Sequence, residues 1–266
     1  MISFALLKST AKKNWLLLVI FLLVLSMYTT VMISMYDPEN MEYMASMLEL
    51  FPDDMMRAMG FSGHITNLTS YLASWLYGLL MLGFPMVYCI ILGNRLVVKM
   101  VDNSSIAYIL ATPNSRKKII ITLGIYALLS VAVLFGLIFA VGIFVSEMML
   151  PGLLDISGFF RINLITMLVN MVVMMICFFF SSLFNETRRS IFLGAGIPII
   201  FLLLNMLGGV SDEAKFLHNF SIYGFYDPIK VVANYDMWQI NVLYVAIILV
   251  LFAGSVFVFS RKQLPI

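Results

Sequence analysis

"DNSSIAYILATPNSRKKI", residues 102–119, is the stretch on which the reading of this chain turns. It is a polar interruption, with Pro113, Asn114 and three successive cations, set between two long apolar runs. Those runs, near 70–93 and 119–145, are each long enough to cross the ~30 Å hydrocarbon core of a bilayer. Four more runs of this kind lie near 15–35, 161–184, 191–208 and 239–259. Composition agrees. The chain is 62% hydrophobic and 11% charged, with a mean hydropathy of +1.01, whereas soluble domains are roughly half apolar and a quarter charged. The apolar excess belongs in lipid. The expected fold is an all-α membrane protein with six transmembrane helices in a single domain, 1–266.

The cations set the orientation. With six alternating spans and the N-terminus inside, Lys8, Lys12, Lys13, Arg95, Lys99, Arg116, Lys117, Lys118, Arg188, Arg189, Arg261 and Lys262 are cytoplasmic. Only Arg57, Arg161, Lys215 and Lys230 fall outside, a twelve-to-four split. The positive-inside rule then puts both termini in the cytoplasm. The first run is too long for the core of a signal peptide and has no small-x-small site after it, so it is expected to stay as a helix.

Outside the spans, residues 1–14 put Phe4, Leu7 and Ala11 on one helical face and Lys8, Ser9, Lys12 and Lys13 on another. That pattern suits an interfacial helix and equally a cationic flank of the first span. The loop 36–69 lies outside, with a helix expected to open at Pro52, carry Asp53 and Asp54 in its first turn and close at Gly60. Met47, Leu48, Phe51, Met55 and Met59 form its apolar stripe. A second outer loop, 209–238, carries Phe216, Phe220, Tyr223, Phe225, Tyr226 and Trp238, rings that favour the headgroup level. The sequence leaves open whether this segment dips into the membrane.

Several chemistries are missing from the sequence. No Asp, Glu, Lys or His lies inside a span, which disfavours a proton- or ion-coupled carrier. There is no Gly-Lys dipeptide, so no phosphate-cradling Walker loop. No catalytic constellation and no metal-ligand spacing is present, and Cys89 and Cys177 read as buried free thiols. The chain is expected to be no enzyme and to bind no cofactor, metal or nucleic acid. Asn170 and Asn205 read first as cross-helix hydrogen-bonding groups and second as contacts along a substrate path.

The connection between the second and third runs, 94–118, can form a short helix over 102–111, capped by Asn103 or Ser104 and stopped at Pro113. Ile106, Ile109 and Leu110 would make its apolar face. "IAYILATPNSRKKIIITLGIY", 106–126, resembles the cytoplasmic coupling loop of type-two ABC exporter permeases: an acid and small residues, a short leucine-rich helix, then Thr/Ser-Pro-x-Ser-Arg. Asp102, Ser104, Ser105, Leu110, Thr112, Pro113, Ser115 and Arg116 match that pattern. "LELFPDDMMRAMGF", 48–61, is similar to a Pro-acid segment of the same family. Members commonly carry Glu where this chain has Ala107 and Gly where it has Ser104, which leaves a carboxylate contact at that point open.

The resemblance implies a half-transporter whose loop, through Asp102, Ser104, Ser105, Ile106, Ile109, Leu110, Thr112, Pro113, Ser115 and Arg116, couples to a separate ABC ATPase that holds ATP and Mg. It implies a second permease copy or a sister permease, membrane lipids as neighbours, a bacterial plasma membrane, and export of a hydrophobic or amphipathic peptide, antibiotic or lipid. The alternatives are a membrane scaffold or immunity protein that binds a peptide or sensor, and an ATP-independent carrier or channel.

Overall fold

A computed structural model describes residues 2–38, 67–112, 114–210, 212–233 and 237–263, with the backbone alone at Leu110 and Asp212. The helix expected at Pro52 and its Met/Phe stripe lie outside the described residues, as does Pro113. Six helices are long and apolar enough to cross a membrane: Phe4–Ser34, Leu68–Asp102, Arg116–Met149, Ile156–Leu183, Thr187–Val210 and Trp238–Arg261. They are numbered here as spans one to six. Among the described residues there is no strand.

Two boundaries differ from expectation for the same reason: a started helix gains one hydrogen bond per added residue. Residues 4–14 form no separate interfacial helix; they are the first turns of a 31-residue span one. At ~1.5 Å per residue this helix is ~46 Å long, enough to carry Lys8, Lys12 and Lys13 beyond the hydrocarbon. Span two likewise continues through 94–102, with one break at Val97, so the true connection to span three is 103–115.

Span four is the post of the bundle. Within its apolar core 72% of residues are buried, against 22% for spans one, five and six. It packs on spans two, three, five and six. Ser3, Lys262, the loop helix between spans two and three and the 184–186 turn meet at one end. The Ser3 N–H donates to Thr122 Oγ1 of span three at 3.0 Å, and Arg116 Nη1 donates to the Lys262 carbonyl at 2.9 Å. Lys262 Nζ in turn donates to the Ser182 and Phe184 carbonyls at the end of span four.

At the opposite end, residues 212–233 fold back between the helices. A 3-10 helix, Asp212–Phe220, is followed by a turn and a short helix, Pro228–Val232. Tyr223 is fully buried, and its hydroxyl reaches Met86 Sδ, near the middle of span two, at 3.8 Å. Backbone away from water must satisfy its own polar groups. Here turn bonds do so, from Ser221 N–H to His218 O, Gly224 N–H to Ser221 O and Tyr226 N–H to Tyr223 O. The aromatics at 223 and 226 are therefore core residues, whereas Phe216, Phe220 and Trp238 are exposed as a headgroup belt requires.

Candidate functional site: the loop helix and the spans it is tied to

The chain between spans two and three turns sharply at Ser104, whose φ of 58° lies in the left-handed region. That conformation favours glycine, because a Cβ crowds the following carbonyl there. Asn103 supports the turn by accepting from the Ser105 N–H and hydroxyl at 3.1 and 2.7 Å. Asn103 is thus engaged two residues ahead and does not cap a helix over 102–111. The helix that forms is Ile106–Leu110, five residues, with Ser105 at its N-cap and no side-chain cap bond.

Two residues of its apolar face are turned inward. Ile106 is 1% exposed, and Ile109 packs on the same core. Both were expected to be offered to a partner; instead they seat the helix on its own bundle. Tyr108, about 200° round the helix from Ile106, is 83% exposed and is the large side chain that faces away. Pattern reading missed Tyr108 because it counted only aliphatic positions.

Each flank of the loop is tied to a span. The Asp102 carboxylate accepts from the Thr187 N–H at 3.3 Å, so it caps the start of span five, where an acid is favoured by the helix dipole. Ser115 is the N-cap of span three and accepts from the Lys118 N–H at 3.2 Å. Thr112 Oγ1 donates to the Ile109 carbonyl and accepts from Asn114 Nδ2, closing the end of the loop helix. Arg116 meets the Lys262 carbonyl, and so links the loop to the chain end beneath span six. Burial holds the Lys262 amine below its usual range, pushed down to about 8.

Below the loop, spans two, four and five are fastened together. The Val98 N–H, left over at the break in span two, donates to Ser181 Oγ of span four at 2.8 Å. Ser190 Oγ of span five donates to Asn94 Oδ1 of span two at 2.8 Å. At Gly93 the backbones of spans two and four nearly touch: a Cβ there would stand 2.7 Å from that of Cys177. Only glycine allows that approach.

Helical order, six spans and a capped loop between spans two and three are now in place, and a family model described as ABC-2 family transporter protein matches residues 7–264. The chain belongs to the ABC-2 transporter family. No curated protein matches it. As an ABC-2 permease it is a multi-pass membrane component of a transporter that works with an ABC ATPase subunit.

Within this ABC-2 permease the two asparagines have definite partners. Pro85 in span two has no N–H to give the carbonyl of Met81, four residues earlier. Asn170 of span four, fully buried, gives that carbonyl its amide Nδ2 at 3.1 Å, and the Thr166 carbonyl at 3.0 Å. Pro198 in span five deprives Gly194 in the same way, and Cys177 Sγ of span four donates to that carbonyl at 3.1 Å. Asn205 Oδ1 lies 2.9 Å from His218 Nδ1, holding the folded-back segment to span five. Neither Asn170 nor Cys177 was read from the sequence as the repair of a proline break, although i−4 arithmetic from Pro85 and Pro198 names both carbonyls.

Proposed function

We propose that this permease is half of an ATP-driven exporter of hydrophobic or amphipathic molecules, with both termini and the 103–115 loop in the cytoplasm. A second copy or a sister permease completes the pathway, in a bacterial plasma membrane. The orientation rests on the twelve-to-four distribution of cations. The substrate class rests on the apolar middles of the spans, 14–34, 68–94, 119–146, 162–183, 190–210 and 238–260, which hold no acid, lysine or histidine and suit apolar cargo better than ions. ATP and Mg belong to the partner; this chain supplies the surface it pushes on.

The observation that carries the reading is the loop helix seated by Ile106 and Ile109, with Tyr108 outward, and joined by Asp102 to span five. A push on Tyr108 cannot be absorbed by a slack loop and passes into spans two, three and five. The test is co-purification of the ATPase with the full permease, together with transport and hydrolysis in liposomes. Tyr108→Asp is expected to weaken ATPase binding or to leave hydrolysis without transport, while the permease remains folded. Ile109→Asp should instead destabilise the permease itself. Unchanged binding and transport in Tyr108→Asp would remove the loop from the coupling path. A wild-type chain that retains no ATPase would support the scaffold reading.

A further inference from the structure

Spans two and five flank an open cavity of about 580 Å³ beside the loop, within the size range of small-molecule sites. Its charged lining is Arg95 and Lys99, one on each side of the break at Val97, with Asp102 at the rim. Among the described residues neither cation has an ion-pair partner within 4.0 Å, and both are exposed. Asp102 is already engaged by the Thr187 N–H. The three charges sum to +1, the complement of one phosphodiester.

The other walls differ in character. Ile90, Ile91 and Ile191 line the cavity on its membrane side. Asn94, 5% exposed, has its amide occupied by the Ile90 carbonyl and the Ser190 hydroxyl, so it fixes the two spans at this separation. A soluble anion would use the cations and leave the isoleucines wet. A lipid uses both, because its phosphate can take the Arg fork and the Lys ammonium while an acyl chain covers the isoleucines. Basic pockets between helices at the cytoplasmic end of a bundle are suited to anionic headgroups.

We propose that this cavity is a site for an anionic phospholipid of the inner leaflet, with its phosphodiester on Arg95 and Lys99. The occupant bridges spans two and five next to the Asp102 cap, and so sits where loop movement reaches span five. The leaflet assignment rests on the cytoplasmic orientation proposed above. Binding itself does not.

The test is native mass spectrometry of the full chain in detergent, titrated with phosphatidylglycerol, phosphatidylcholine or glycerol phosphate. The wild type should retain one phosphatidylglycerol in preference to phosphatidylcholine, and glycerol phosphate should not displace it. The double variant Arg95→Gln/Lys99→Gln should lose this retention by on the order of thirtyfold, taking two surface cations at their usual contribution. Lys117→Gln/Lys118→Gln, away from the cavity lining, should retain it. Equal retention of both lipids, an unaffected Arg95/Lys99 variant, or displacement by glycerol phosphate would overturn the proposal. A chain that binds the lipid but no ATPase would refute the transport reading and leave this site standing.

Discussion

Spans two and five each lose one backbone hydrogen bond to a proline and have it mended by the same helix, with different strength. In span two the Met81 carbonyl freed by Pro85 receives an amide N–H from Asn170. In span five the Gly194 carbonyl freed by Pro198 receives only a thiol S–H from Cys177. An amide is a full donor; a thiol is a weak one. Span two is also locked by the contact at Gly93 and by burial of 56% of its apolar core, against 22% in span five. The two prolines therefore make different joints. Span two is a pinned joint, and span five is a joint held lightly, with its first turn attached to the loop through Asp102 and Thr187. A permease that must change shape when an ATPase pushes on its loop has its softer joint in the span the loop caps.

The comparison breaks most visibly at Asn170. Asn170→Leu fills the site but leaves the Met81 carbonyl unpaired in a dry interior, and should cost about 1–2 kcal/mol. In a Pro85→Ala background residue 85 regains an N–H for that carbonyl, and the same substitution should cost clearly less. Thermal unfolding of the four proteins in one detergent gives the coupling. Equal cost in both backgrounds would show that Asn170 is not serving the break.

Cys177→Ala is the matching change for span five and should be milder, about 0.5 kcal/mol or less beyond the loss of the sulfur's packing, because the bond lost is weak. A Cys177 effect as large as that of Asn170 would erase the difference between the joints.

A pH-dependent effect is expected at the C-terminal end of span four, where Lys262 donates to the Ser182 and Phe184 carbonyls. Burial lowers its folded pKa from 10.5 to about 8, so between these values the unfolded chain binds more protons than the folded one. Stability contributed at this position should then rise with pH across that window. Lys262→Met should lose this rise, as read by unfolding in detergent from about pH 8 to about pH 10.5. A parallel pH course in both proteins would mean the amine is not desolvated as its contacts require.

How much of this was written in the sequence depends on the range of the interaction. The six spans, their order and the polar interruption at 102–119 follow from hydropathy and length, which are local. Ser104 was visible as the position where related loops carry Gly, and its positive φ supplies the reason. The direction of the loop helix was not visible. Ile106 and Ile109 form the same apolar stripe whether they face a partner or their own bundle, and only their packing on the core of the bundle decides. Asn170, Asn205 and Cys177 were equally ambiguous. A lone polar group in a span reads the same whether it meets cargo or a carbonyl, and the carbonyl that needs it lies on a helix far away in sequence. The folded-back segment at 212–233 was hidden for a further reason. Its aromatics suit a headgroup belt as well as a core, and their burial depends on the gap that spans two, four and five leave between them.

The most direct measurement is hydrogen exchange of the permease alone, with its ATPase, and with the ATPase turning over. Docking is expected to slow exchange at 103–112, and turnover to change exchange at 194–202 around Pro198 while 81–89 around Pro85 stays as it was. Protection confined to the opposite end of the bundle, or equal change at the two prolines, would contradict the account.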